Sequence, residues 1–450
     1  MDYKSIGKNI NRVEAFSKVT GRAKFTADLK FPGELFTYVV RSKEAHALIK
    51  NIEYKDALKV EGVKGVITGE NAVELVGVCI KDQPPIAHKK VRFAGEPVVV
   101  VVAVTKEIAL LAGRKIKIEY EKLPALFETS AAMAKDAVLI HDSISTIPGF
   151  LPEPNTNIFH HYKIRTGNVK EAFEKSDFRV SGTMRWPHLA HCQMESHVTI
   201  AKWSSNDYLQ IYTSAQSPCD VRHFIAKAFG LPMNKIVVET YYVGGGFGGK
   251  SDVTIEPLSV FVAKHFPDYY VRLQLEREDV FTSTVVGRGL DSEFCTAFNK
   301  DGIIQGLKVK YVLNSGAYAS YAINIVQPGG IVSSGTYYIP NIQVDAYGVY
   351  TNKPPLGAYR AYGHPEAALI SEKMMDLIAE KLNIDPVIVR ERNLIKSGQK
   401  NSIGQIVRKD DGNIKACLDL VKKDIQPYKN SKSKLPLVRG VGIANLLKAP

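Results

Sequence analysis

Cysteine is scarce in this sequence, and its spacing argues against two kinds of site. The five cysteines lie far apart, and none forms a C-x-x-C or C-x4-C pair: Cys79, Cys192, Cys219, Cys295 and Cys417. Iron–sulfur clusters and structural zinc sites need closely spaced thiolates. We therefore interpret these residues as isolated thiols of a reducing compartment rather than as a disulfide framework.

The sequence also lacks long hydrophobic runs. No uninterrupted apolar stretch is long enough to span a bilayer, and the first residues, Met1-Asp2-Tyr3-Lys4, have no apolar signal core. These features predict a cytoplasmic protein without a membrane anchor.

Acidic residues are outnumbered, 46 against 59 basic residues, which gives a formal net charge of +13. Such a charge suits nucleic acid or another anionic ligand. However, the basic residues occur only in short runs, such as Lys89-Lys90, and no nucleic-acid recognition motif accompanies them. We favour a solvated basic surface with no nucleic-acid partner. An anionic cofactor or acidic partner subunits would use such a surface equally well.

With 450 residues the chain can form two or three domains. We predict strands at 97–104, 115–120, 208–213 and 235–240, and helices at 106–114, 218–229, 366–382 and around 387–393. The proline-rich stretch 147–154 is typical of a linker. We expect an α+β fold with a first domain at 15–125, a linker at 126–155, a second domain at 156–395 and the start of a third at 396–450.

The segment Val243–Lys250 reads V-G-G-G-F-G-G-K and directly follows a predicted strand. Its glycines permit positive φ angles and close approach of the backbone to a ligand, and its N–H groups can hold an anion. It is neither a P-loop nor a convincing dinucleotide fingerprint. Taken alone, it is as compatible with a structural turn as with a ligand site.

Two further motifs accompany this loop. T-S-A-Q-S-P ends a strand at Gln216, and P-P-L-G-A-Y-R-A-Y-G-H-P-E carries Arg360, Ala361 and Tyr362 into a helix. In this order the motifs resemble the molybdenum-binding large subunits of the xanthine dehydrogenase and aldehyde oxidase family. The resemblance covers about residues 6 to 395. It implies an α/β-hammerhead-like first domain followed by molybdopterin-binding domains.

The resemblance also implies roles for individual residues. Gln216 corresponds to an amide that bonds a molybdenum oxo ligand, and Tyr362 to an aromatic ring that stacks on a planar substrate. Gly246, Phe247 and Gly248 correspond to the loop beside the metal ligands, and Arg360 with Ala361 to the turn that contacts the cofactor. Gln216, Phe247 and Arg360 are thus the residues expected nearest the metal, and Gln216, Arg360 and Tyr362 the catalytic ones. The alternative interpretations are that Gln216 caps a helix, that Arg360 forms a surface salt bridge and that Tyr362 is a core aromatic.

Other polar residues carry weaker hypotheses. His188, His191 and His197 with Cys192 suggest a metal site, but their spacing does not place them on one face of a strand. Glu195 can be read as a general base, although a buried, paired carboxylate is the better interpretation. Ser214 and Ser251 have no accompanying His and acid, so hydrolase chemistry has little support.

The sequence departs from the patterns of known family members in four ways. Ser251 stands where xanthine-oxidising members have a purine-binding Glu, and Gln327-Pro328-Gly329-Gly330 stands where they have a substrate-binding Arg. Both departures argue against xanthine as substrate. Ala361 replaces the Cys of carbon monoxide dehydrogenases and argues against that chemistry. Finally, family large subunits continue for several hundred residues and carry their catalytic Glu there, so this chain is either a fragment or one half of a split subunit, as in nicotinate dehydrogenase of anaerobes.

The resemblance implies hydroxylation of an N-heterocycle or aldehyde, with oxygen from water and two electrons passing to molybdenum-molybdopterin, expected in its dinucleotide form. A second molybdopterin-binding chain would supply the Glu, and partner subunits would carry 2Fe-2S clusters and FAD. A non-catalytic assembly or binding subunit that retains the fold is the alternative.

Overall fold

A computed structural model describes residues 3–144, 152–429 and 440–446, apart from the side chain of Arg288. Its strands are β1 (Leu35–Arg41), β2 (Ala47–Glu53), β3 (Val63–Thr68), β4 (Lys90–Val91), β5 (Pro97–Ala103), β6 (Lys117–Lys122), β7 (Ile158–Thr166), β8 (Phe178–Leu189), β9 (Val198–Trp203), β10 (Leu209–Thr213), β11 (Ile236–Glu239), β12 (Val271–Gln274), β13 (Gly287–Phe298), β14 (Ile304–Asn314) and β15 (Ile342–Val349).

The α-helices lie between these strands or at either end of the chain. They are α1 (Ala15–Val19), α2 (Lys55–Leu58), α3 (Lys106–Gly113), α4 (Thr129–Ala132), α5 (Val169–Lys175), α6 (Pro218–Phe229), α7 (Glu256–Lys264), α8 (Arg277–Ser283), α9 (Ile323–Ile331), α10 (His364–Leu382), α11 (Pro386–Asn393) and α12 (Ile414–Lys429). Of the described helices, none is both long and apolar enough to cross a membrane.

Three sheets organise the molecule. A seven-stranded sheet has the order β11-β10-β9-β12-β1-β5-β3, and a five-stranded sheet has the order β7-β15-β14-β13-β8. A small third sheet has the order β4-β2-β6. The seven-stranded sheet joins strands between residues 35 and 103 to strands between residues 198 and 274, so these two parts of the chain share one hydrophobic core.

The central strand β5 shows why this sheet forms. Its run of valines is fully buried, as the continuous apolar sequence predicts for a strand covered on both faces. Val100 and Val102 pack into the core shared with β9 and β10, whereas Val99 and Val101 pack into two cores formed by residues between 38 and 120.

Helix α6 matches its sequence signals at both ends. Pro218 begins it, where the missing N–H costs nothing. Gly230 ends it in the left-handed conformation with φ 65°. Because β10 and β11 are parallel neighbours joined through α6, the segments that follow these two strands emerge at the same edge of the sheet.

One sequence prediction falls partly outside the described residues, because the proline-rich stretch 147–154 is described only from Pro152 onward. Helix α12 lies within 396–450, where no helix was predicted.

Candidate cofactor site

Gln216 lies just beyond the end of β10 and is fastened to the glycine loop that follows β11. Its backbone N–H donates to Lys250 O at 2.7 Å, and its side-chain Oε1 accepts from Gly248 N at 2.9 Å. Nothing in the part of the chain that the structure describes accepts a hydrogen bond from its Nε2. Because Oε1 is engaged by the loop, the amide of this exposed residue is oriented with its donor end available.

Glycines are required where the loop meets its neighbours. A Cβ on Gly246 would lie 2.1 Å from Gln216 Oε1, and one on Gly248 would lie 2.4 Å from Ala358 O. Between these two glycines, Phe247 adopts φ 54° and is 47% exposed. A non-glycine residue in this region is strained, so the surrounding contacts must hold the loop in shape.

An ion pair between Lys250 and Glu195 holds the two ends of the glycine loop together. Lys250 Nζ lies 2.5 Å from Glu195 Oε2, and the lysine side chain is 1% exposed. The same oxygen accepts from Gly244 N at 2.8 Å. Burial lowers the pKa of Lys250, although Glu195 opposes this effect. The interpretation of Glu195 as a paired carboxylate is confirmed, and its side chain is mostly buried, with 11% exposed.

The neighbouring histidines bond to backbone carbonyls that border the site. His197 Nε2 lies 2.9 Å from Gly249 O in the loop, and His191 Nε2 lies 2.7 Å from Ala358 O in the turn. His188 Nε2 lies 2.7 Å from Asn314 O. Burial lowers the pKa of His197 to about 4, so this ring is neutral and Nε2 donates. Sequence reasoning weighed these residues only as metal ligands, and no sequence signal pointed to their carbonyl partners.

The arginine motif forms a tight turn before α10. Ala361, Tyr362 and Gly363 have consecutive positive φ angles of 75°, 48° and 87°. Such a run is costly for the two residues that are not glycine, and strain of this kind is typical of functional sites. Arg360 is exposed immediately before it. Tyr359 stacks on His191, with 4.6 Å between the ring centroids.

Asp252 fastens this turn to the segment that follows the glycine loop. It accepts a hydrogen bond from the backbone of Ala358, and a Cβ on Gly357 would lie 2.4 Å from its Oδ2. Ser320 donates to the same carboxyl. Burial raises the pKa of Asp252 to about 7.

The side chain of Tyr362 extends from the turn toward α9. Its ring meets Tyr321 edge to face at 6.4 Å, and its hydroxyl bonds the side chain of Asn324. Burial is the main cause that raises the pKa of Tyr362. One side of this half-buried ring packs on the core below the five-stranded sheet, so the reading as a core aromatic describes part of its surroundings.

The structure therefore brings most of the predicted residues together. Gln216 and Gly246 to Gly248 form one cluster, and the turn with Arg360 and Ala361 packs on this cluster through Ala358 and Gly248. Gln216 does not cap α6, because its amide bonds the loop instead. Tyr362 lies at the side of this cluster, against α9.

Comparisons with known proteins identify the arrangement. Residues 150–394 match the model of the molybdopterin cofactor-binding domain. Residues 20–124 match that of the a/b hammerhead domain of aldehyde oxidase and xanthine dehydrogenase. The chain belongs to the xanthine dehydrogenase and aldehyde oxidase family. It is thus a member of a family of molybdenum-dependent oxidoreductases, and the predicted hammerhead and molybdopterin-binding architecture is confirmed.

Two curated relatives differ in length. The chain is 31% identical to the nicotinate dehydrogenase large molybdopterin subunit of Eubacterium barkeri, over 96% of this chain and 99% of that protein. It is 30% identical to the putative xanthine dehydrogenase molybdenum-binding subunit of Escherichia coli K12, over 96% of this chain but only 58% of that protein.

Among solved structures, quinoline 2-oxidoreductase from Pseudomonas putida 86 superposes with a TM-score of 0.86 at 28% identity, over 95% of this chain and 55% of that chain. The aldehyde oxidoreductase of Desulfovibrio gigas superposes equally well, with a TM-score of 0.86 at 27% identity, over 94% of this chain and 47% of that chain.

Proposed function

We propose that this chain is a molybdopterin-binding subunit of a cytoplasmic, multisubunit molybdenum hydroxylase that oxidises an N-heterocycle or an aldehyde. The orientation of the Gln216 amide carries this proposal. Since Oε1 is held by Gly248 N, the exposed end of the side chain is a neutral hydrogen-bond donor beside Phe247. A neutral donor can hold an oxo group without protonating it.

The residues present fit a molybdenum-molybdopterin cofactor. Gln216 Nε2, the backbone around Phe247 and the exposed Arg360 would face its anionic ligand sphere. Gly246 and Gly248 allow Gln216 and the turn at Ala358 to pack closely against the loop. When bound, the cofactor supplies two-electron oxidation with water as the source of oxygen. The role of this chain is then to hold and orient the metal centre. We propose the dinucleotide form of the cofactor.

Substrate contacts on this chain are proposed to come from Tyr362 and its surroundings. Its ring offers an aromatic face, and the adjacent Tyr321 and Asn324 are neutral hydrogen-bonding side chains. Ser251 and the segment Gln327–Gly330 stand in place of the charged residues of xanthine-oxidising members. This lining supports a small planar heterocycle or aldehyde other than xanthine.

The partners are part of the proposal. Gln216, Phe247 and Arg360 are all exposed, as expected of one side of a site that another polypeptide completes. We propose a second molybdopterin-binding chain that supplies the catalytic Glu, and further subunits that carry 2Fe-2S clusters and FAD. We also propose the hammerhead domain at 15–125, the first molybdopterin-binding domain at 156–395 after a linker at 126–155, and the start of a second at 396–450.

A substitution at Gln216 tests the function. In the native complex, Gln216→Leu should lower kcat for nicotinate or aldehyde oxidation by about 100-fold, the loss typical of removing one donor from a preorganised site. Gln343→Leu is the matched control, since it removes an amide from the five-stranded sheet. Unchanged turnover in Gln216→Leu, or no turnover of any heterocycle or aldehyde by the wild-type complex, would favour the assembly or binding subunit.

A further inference from the structure

The first described residues form an arm whose large apolar side chains are exposed. We define the N-terminal arm as residues 3–20, which include the short helix α1. Six apolar residues in it are between half and fully exposed: Tyr3 (50%), Ile6 (72%), Ile10 (59%), Val13 (100%), Phe16 (65%) and Val19 (83%). No residue of α1 is buried.

Exposure of so many apolar side chains to water is unfavourable unless another surface covers them. Burying a side chain such as valine or phenylalanine is favourable relative to leaving it in water. Single exposed apolar residues are common on proteins, but a run of six within one segment is typical of an interaction site.

The arm is anchored beside the glycine loop. Ser17 Oγ lies 3.2 Å from the hydroxyl of Tyr242, and Lys18 Nζ lies 5.1 Å from the centroid of the same ring. The backbone N–H of Tyr242 donates to Lys24 O at 3.2 Å. Tyr242 precedes Gly244 by two residues, so the base of the arm is fixed where the loop begins.

Other exposed apolar side chains flank the same loop. Met194 is 93% exposed, and the next residue, Glu195, bonds Gly244 through both its backbone and its side chain. Tyr241 and Phe247 are 40% and 47% exposed. Exposed apolar side chains therefore occur both on the arm and next to the residues of the candidate site.

We propose that the N-terminal arm is a docking surface for the second molybdopterin-binding chain; this inference rests on the proposed function. A chain that completes the site must approach Phe247 and Gln216, and it then also reaches the base of the arm. The longer relatives support this occupant, because this chain spans little more than half of their length and they carry the remaining part within the same polypeptide.

The charge of the arm defines the surface that it fits. The arm contains one acidic residue, Glu14, and four basic residues, Lys4, Lys8, Arg12 and Lys18, and two more basic residues, Arg22 and Lys24, follow it. The partner should therefore present an apolar groove with an acidic rim.

The test uses the native complex, after mass spectrometry has identified a second chain that matches the remaining part of the longer relatives. In co-expressed full-length chains, Val13→Asp/Val19→Asp should raise the Kd for the second chain at least 100-fold. Leu111→Asp is the control, because Leu111 is 54% exposed on α3 and should change the Kd less than threefold. Thermal melting of the isolated variants checks that the fold is kept.

Each outcome decides the proposal. An unchanged Kd in the double variant overturns it, as does selective loss of an FAD or iron–sulfur subunit, loss of self-association, or a single polypeptide that carries both parts. If the double variant releases the second chain but the wild-type complex contains no molybdenum, the arm is confirmed and the proposed function fails. If the wild-type complex contains molybdenum and the double variant binds normally, only the arm proposal fails.

Discussion

At the scale of single residues, the candidate site depends on a few contacts that reach across long stretches of sequence. Gln216 bonds Gly248, and Glu195 bonds both Gly244 and Lys250. These contacts fix the loop before any ligand arrives, which is how a site reduces the reorganisation needed on binding.

The Glu195–Lys250 pair gives a prediction for stability. Lys250→Met should lower the free energy of unfolding by about 3–5 kcal/mol, because it leaves the carboxylate of Glu195 buried without its cation. The double change Glu195→Gln/Lys250→Met should recover part of this loss. Urea unfolding of the three proteins measures both effects, with exposed Lys50→Met as control. If Lys250→Met and the double variant lose the same free energy of unfolding, the unpaired carboxylate of Glu195 is not the cause of the loss.

Asp82 gives a prediction for pH dependence. Its Oδ2 accepts from the hydroxyl of Tyr350 at 2.7 Å and from Ala319 N at 2.8 Å, and burial raises the pKa of its carboxyl from 3.8 to about 7. A carboxyl with a raised pKa in the folded state stabilises fully below pH 3.8, and this contribution is lost as the pH rises to 7. The stability advantage of wild type over Asp82→Asn should therefore decrease between pH 4 and pH 7.

Unfolding by urea at several pH values measures this difference. Asp56→Asn is the control, because Asp56 is exposed beside Lys59, which lowers the pKa of its carboxyl. An advantage over Asp82→Asn that stays constant from pH 4 to pH 7 would show that Asp82 is ionised in the folded state.

At the scale of elements, the strained turn before α10 can be tested directly. Ala361→Gly should leave the free energy of unfolding unchanged or raise it by up to about 1 kcal/mol, because glycine adopts φ 75° without strain. Ala367→Gly within α10 should lower the same quantity by about 1 kcal/mol or more. If both glycines destabilise equally, the turn stores no strain.

The elements also show what the sequence can and cannot predict. Helix α6 was predicted with its observed bounds because Pro218 and Gly230 mark its ends. Helix α12 was not predicted, because its many charged residues hide the sequence periodicity of the apolar face that includes Leu418. The glycine loop and Gln216 were found because their residues form local motifs, whereas the ion pair and the histidine contacts join residues about fifty positions or more apart and leave no local pattern.

At the scale of the whole molecule, the two parts of the chain share one sheet and one core. Strands β1, β3 and β5 continue the sheet of β9 to β12, so the hammerhead region supports the edge from which Gln216 and the glycine loop emerge. Gln216, Phe247 and Arg360 are exposed at this edge, where the proposed partner chain would cover them.

The most direct test of this account is metal analysis by mass spectrometry of the complex purified under native conditions. We expect molybdenum in stoichiometric amount with this chain, together with a second molybdopterin-binding chain, flavin and iron. A complex that contains those partners but no molybdenum would contradict the proposed function and leave a subunit that keeps the fold for assembly alone.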